Sequence, residues 1–138
     1  MIAARYSMDR TAAAQLRQRQ LRALQRATVY LWQHLQQVLN VPNTGQRRKR
    51  KYGRGSYTVY PNPSKPGEAP RKRTGFLQRN VKYDIDRKNI SARVGVTENA
   101  RYGAYLELLM DRPWLLVTAR RLMPQMVRMM IAEVSNGP

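Results

Sequence analysis

The sequence predicts an α+β fold: a long N-terminal helix, an antiparallel β-sheet with an extended basic hairpin or arm, and a C-terminal helix kinked or broken near Pro124. Three observations predict it. No proline or glycine precedes Pro42, residues 40–73 are crowded with both, and residues 80–97 alternate apolar and polar side chains as paired strands do.

Residues 9–39 read as one long helix. Ala12–Ala14 are strong helix formers, and Leu21, Leu24, Thr28, Leu31, Leu35 and Val38 recur at three- and four-residue spacing as one apolar stripe. Arg17, Arg19, Arg22 and Arg26 lie mainly off that stripe. The expectation is a helix packed on a sheet with a solvated arginine face. A coiled coil fits less well, because Thr28 interrupts a short seam.

Residues 40–73 contain Pro42, Gly45, Gly53, Gly55, Pro61, Pro63, Pro66, Gly67 and Pro70, so neither a regular helix nor a central strand can run through them. The exception is "SYTVYP", where Tyr57, Thr58, Val59 and Tyr60 suit a short strand, half of a hairpin with the basic run at its tip. A connection of this length is usually functional or disordered, and it reads as an extended arm. Residues 80–97 read as a hairpin. Val81, Tyr83 and Ile85 alternate on one strand, Ile90, Ala92, Val94 and Val96 on the other, and Asp86–Asn89 supplies the turn. Thr97 or Asn99 is placed to cap a short helix reaching about Leu109. Pro113 sits where a helix begins, and a Met-rich helix runs from there toward Val134. The chain is thus expected to be a single domain, 1–138: a long helix (9–39), an extended basic arm (40–73), and a body with a C-terminal helix (74–138).

Charge is unevenly distributed. The net charge is +18, from 26 Lys plus Arg against 8 Asp plus Glu. Residues 47–73 contribute ten basic side chains and one acid, Glu68, which is half of that excess. Its centre is "RRKRKYGRG", carrying Arg47, Arg48, Lys49, Arg50, Lys51 and Arg54. Such a field favours nucleic acid, an acidic protein surface or an anionic membrane. No cysteine is present, so a disulfide framework, a thiolate nucleophile and a Cys-type zinc site are excluded. The first residues lack the apolar core of a signal peptide, and no apolar run approaches the length of a membrane span. The expectation is a soluble chain made in a cytoplasm, without a membrane partner.

Catalytic chemistry needs a constellation, and none assembles. His34 falls between Trp32 and Leu35 on the long helix and reads as a packed or half-exposed helix residue. Asp84 and Asp86 lead into a turn, the usual place for solvated carboxylates. Gly53-Arg54-Gly55 lacks the preceding strand, the Lys-Ser/Thr pair and the following helix of a phosphate loop. The chain is predicted to be no enzyme, with no cofactor and no metal. Met123, Met126, Met129 and Met130 form a cluster on the last helix. It reads either as a plain core face or, because methionine suits adaptable contacts, as a subunit–subunit surface.

Three separated motifs carry a family resemblance. "SKPGEAPRKRTGFLQRNV" holds Pro66, Gly67, Pro70, Thr74, Gly75, Leu77 and Val81. "RVGVTENARYGAYLE" holds Val94, Gly95, Tyr102, Tyr105, Leu106 and Glu107, and "DRPWL" holds Arg112, Pro113, Trp114 and Leu115. In this order, over about residues 64–120, the chain resembles the neck and tail-completion proteins of long-tailed bacteriophages, the group that includes minor tail protein Z-like chains. The long N-terminal helix fits by type. Where the family usually turns at a Gly-Thr pair, this chain reads "LELLMDRP", and the basic run lies outside the shared motifs.

The motif residues also have physical readings. Pro66-Gly67 suits a type II turn. Thr74 can cap a short helix at Gly75–Asn80. Tyr102, Tyr105 and Leu106 share a helical face, and Arg112, a cation at a helix N-terminus, calls for an acidic neighbour such as Glu107.

The resemblance implies a structural virion protein of the head–tail joint, present in the neck or tail and in the host cytoplasm during assembly. It would form a homo-oligomeric ring, six or twelve copies in a phage neck, between the portal or adaptor proteins and the tail-terminator or tail-tube proteins. The basic arm would then face an acidic portal or adaptor surface or the DNA end in the neck channel. The alternative is a nucleic-acid-binding protein using the arm 47–54, with Tyr52, Tyr57 and Tyr60 as stacking rings. A nuclear address is the remaining reading of "RRKRK".

Overall fold

The computed structural model describes residues 10–42, 46–59, 63–72 and 74–136. The expected helix start at residue 9, Gly45, and the strand continuation through Tyr60 and Pro61 lie outside these residues, as does the side chain of Arg47. The architecture is α+β, as expected. A long helix, α1 (Arg10–Val38), is followed by a ribbon of β1 (Gln46–Lys49) and β2 (Ser56–Val59) and by the single turn of α2 (Phe76–Arg79). A second hairpin, β3 (Val81–Asp86) and β4 (Ser91–Val96), leads through a 3-10 turn (Glu98–Ala100) to α3 (Tyr102–Leu108) and α4 (Leu116–Asn136). The strands form two separate two-stranded antiparallel sheets.

Helix α1 organises the rest by packing on both β3–β4 and α4. Its buried positions are Ala23, Ala27, Thr28 and Leu35. The expected stripe is therefore present, but small residues make the closest approach: Ala27 sits against Leu122 and Met126 of α4. Thr28 is accommodated because its hydroxyl donates to the Leu24 carbonyl at 2.7 Å, leaving no buried donor unsatisfied. Further along, Leu35 and Leu39 join Leu77, Val81, Ala100 and Trp114 in the main core. The Trp32 indole N–H donates to the Val81 carbonyl at 2.9 Å and its rings stand edge-on to Tyr83. His34 is a half-buried helix residue whose Nδ1 lies 2.9 Å from the Tyr30 carbonyl.

The arginine face of α1 is not simply solvated, contrary to expectation. Arg17 donates to the carbonyls of Arg87 and Lys88 in the β3–β4 turn, at 2.7 and 2.8 Å. Arg26 pairs with Glu133 of α4 at 2.6 Å, and Arg22 approaches the same carboxylate at 3.8 Å. An off-stripe side chain thus reaches neighbours that sit beside the buried face, its length spanning the rim of the contact.

The β3–β4 register pairs Val81 with Val96, Tyr83 with Val94 and Ile85 with Ala92, so the alternating residues of both strands share one face. Ile90, expected in the second strand, falls in the turn with φ +49°. That turn is held by Asp86, whose carboxylate accepts from the backbone N–H groups of Lys88 and Asn89 and from the Asn89 side chain. These hydrogen bonds, those from Asn89 foremost, hold the Asp86 carboxyl below its ordinary pKa.

Two boundary expectations are corrected. Helix α4 begins at Leu116, three residues after Pro113, and runs unbroken to Asn136 with Pro124 inside it. Of the kink or break expected near Met123, the break is absent. Proline removes one N–H from the ladder, yet the packing of Leu122 and Met126 on either side against α1 keeps the helix continuous.

Candidate functional site

The motif residues converge on an open groove of about 360 Å³ between the α2 segment and α3. Pro70, Thr74, Gly75, Leu77, Tyr102, Leu106 and Arg112 all line it, with Phe76 and Met110 adding apolar wall. Its geometry follows from local chemistry. Gly75 takes φ +78° at the start of α2, a left-handed conformation that glycine adopts without steric cost. The Thr74 hydroxyl accepts from the Phe76 N–H at 3.3 Å, but the N-cap position is held by Gly75, so Thr74 braces the turn just before the helix and is not the side-chain cap expected of it. Phe76 then stacks on Tyr102 with ring centroids 6.2 Å apart. Partial burial pushes the Tyr102 phenol above its ordinary pKa, against a smaller downward pull from a hydrogen bond with the Leu77 backbone. Tyr105 instead points outward and is exposed.

Pro66-Gly67 makes the expected turn: Gly67 has φ +86° and the Glu68 N–H bonds the Lys65 carbonyl at 3.0 Å. Its unforeseen role is tertiary. The Gly67 N–H donates to the Asp111 carbonyl at 2.8 Å, tying the first motif to the loop before α4.

Glu107 and Arg112 do not pair, contrary to expectation. The Glu107 carboxylate accepts three backbone N–H groups, from Trp114 at 2.7 Å and from Leu115 and Leu116 at 2.9 Å each. It thereby caps the N-terminus of α4 from another helix, serving donors that have no partner within α4 and placing negative charge at the positive end of its dipole. Arg112 donates to the Met110 carbonyl at 3.0 Å, and its own N–H bonds the Leu106 carbonyl at 2.8 Å.

Beneath the groove the sequence reading missed Gly103. Its buried position lets the Trp114 indole N–H reach the Gly103 carbonyl at 2.9 Å. A Cβ there would stand 2.7 Å from Leu77 Cδ1 and 3.3 Å from both Trp114 and Val96. Gly103→Ala is therefore expected to destabilise the chain by about 1 kcal/mol, the overpacking outweighing the gain in helix propensity. Urea denaturation checks this, and a stabilised variant would show that Leu77 yields freely. The only advance signal was a lone glycine inside a helical pattern.

The Met cluster divides. Met126 is buried with Ala27 and Leu122, Met130 packs half-buried against that cluster, and Met129 is half-buried. Met123 faces outward with Leu116, Val127 and Ile131 in an exposed apolar stripe along α4. Leu108, Leu109 and Met110, just before α4, are also exposed.

The basic run occupies the ribbon. Arg48 pairs with Tyr57 and Lys49 with Ser56, and residues 50–55 form the connection, with Gly53 and Gly55 at φ +94° and +105°. Arg48, Lys49, Arg50, Lys51 and Arg54 are all exposed.

These features define a class: an α+β chain whose shared motifs build a surface groove and brace its last helix. Residues 67–108 match the family model described as "Bacteriophage HK97-gp10, putative tail-component". The match bears out the resemblance to a phage neck and tail family over the second motif and the first from Gly67 onward. It covers less than a third of the chain and excludes both the third motif and the ribbon. No curated protein and no solved structure matches the chain. No helix among the described residues is long and apolar enough to cross a membrane.

Proposed function

We propose that this chain is a structural subunit of the phage head–tail joint that assembles as a closed ring and contacts portal or adaptor proteins on one side and tail-terminator or tail-tube proteins on the other. The observation that carries the reading is that the stretch similar to a tail-component family supplies most of the motif residues around the groove. Thr74, Tyr102 and Leu106 leave this wall of the groove open to a partner, whereas Leu77 beneath them serves the core.

The ring contact is assigned to the α4 stripe of Met123, Val127 and Ile131, together with the exposed Leu108–Met110 segment. Exposed apolar stretches of this kind mark association surfaces, and a head-to-tail contact between dissimilar patches makes a ring when its rotation closes on itself. Met126 and Met130 are removed from the interface candidates because α1 already covers them. Light scattering and particle imaging of the purified protein test this. Rings are expected, and Val127→Asp with Ile131→Asp should yield folded monomers. A wild-type protein that stays monomeric and is missing from intact virions would overturn the proposal.

A further inference from the structure

The ribbon carries positive charge on both of its faces. Successive strand residues point to opposite sides, so Arg48, with its cross-strand partner Tyr57, occupies one face and Lys49 the other. Arg50, Lys51 and Arg54 crowd the tip. No acidic residue lies between Gln46 and Val59, and among the described residues none of these cations takes part in an ion pair. Tyr52 at the tip is 83% exposed, with the Lys51 ammonium 5.7 Å from its ring centroid.

This two-sided arrangement discriminates between partners. An acidic protein surface would meet one face and leave the cations of the other in solvent. A DNA major groove offers a phosphate wall on each side and, at about 12 Å wide and 8.5 Å deep, admits a two-stranded ribbon. Two or three residues at about 3.4 Å each span that depth. We propose that residues 48–57 are a duplex-DNA-binding element that places its tip in the major groove and neutralises phosphates on both walls, without reading sequence. The proposal stands independently of the head–tail reading.

The test uses the full chain and a fluorescein-labelled 30-bp duplex, with affinity followed by anisotropy at several salt concentrations. Wild type should bind and lose roughly 10²–10³-fold in affinity between 50 and 200 mM salt. Replacing Arg48, Lys49, Arg50, Lys51 and Arg54 by Ser should flatten the log–log salt slope by about 4. The same five-charge loss at exposed Lys82, Arg101, Arg120, Arg121 and Arg128 should change it little. A duplex with glucosylated hydroxymethylcytosines, which fill the major groove, should bind at least tenfold more weakly.

An equal slope change in both variants would reduce the effect to bulk charge and overturn the proposal. So would undiminished binding to the glucosylated duplex. Equal or tighter binding of poly-glutamate would assign the ribbon to an acidic protein instead. Ring assembly is read separately by mass, so its failure is distinguishable from loss of DNA binding.

Discussion

Replacing Trp114 with alanine is expected to lower the unfolding free energy by about 3–5 kcal/mol, the range for truncating a large buried aromatic. Trp114 is 1% exposed and is the largest of the fully buried side chains. It packs among Leu35, Leu39, Leu77, Val81 and Ala100, which come from α1 and the turn just after it, the α2 segment, β3 and the 3-10 turn. Its indole also holds α3 through the Gly103 carbonyl. The truncation opens a cavity and leaves that carbonyl without its donor. Domains of this size typically have 5–15 kcal/mol in total, so the loss is a large fraction. Urea midpoints with an unchanged m-value check it. Trp114→Phe, which keeps an aromatic ring and most of the volume while losing the N–H and part of the bicycle, should cost less. A shift below 1 kcal/mol in the alanine variant would show that this residue does not join the core as described.

Glu107→Ala is expected to cost about 2–3 kcal/mol, combining a lost helix cap with charge-assisted hydrogen bonds to three backbone donors. Glu107→Gln should lose roughly half as much, since its remaining carbonyl oxygen can still accept while the charge–dipole attraction disappears. The diagnostic measurement is amide hydrogen exchange at Trp114, Leu115 and Leu116, which should quicken selectively in both variants. An Arg112→Ala variant gives the contrast. If Glu107 acted by pairing with Arg112, the two losses would match; the cap geometry expects Arg112→Ala to leave those three amides protected.

How much of this was legible in the sequence depends on the range of the interaction concerned. Helix α1 and the β3–β4 hairpin were readable because their signals are periodic and local: no breaker before Pro42, and alternation over residues 81–85 and 92–96. The Pro66-Gly67 turn was readable for the same reason. The role of Glu107 was not. Its partners lie seven to nine residues away across a loop whose path no local rule dictates. Charge matching alone pointed to Arg112, which instead turns to backbone carbonyls. Of the kink or break expected at Pro124, the break does not occur, because the tertiary packing that holds α4 against Ala27 is not written in the local sequence. The Met cluster could be divided only after the α1–α4 contact fixed which side of the helix was covered. In the ribbon, the cations were evident from sequence. Their division between two faces required the register.

The way the ribbon is rooted has a mechanical consequence. On its N-terminal side the chain passes from the end of α1 through residues 41–42, which are bridged to Lys72 on the far side by the Lys72 N–H to the Val41 carbonyl at 2.7 Å. On its C-terminal side Gly67 is pinned to Asp111, immediately ahead of the Glu107-capped start of α4. A pull on the tip is therefore shared between two anchorages. One leads into the long helix and the other into the helix assigned to subunit contact. The ribbon is a tether whose tension would reach both the long helix and the start of α4.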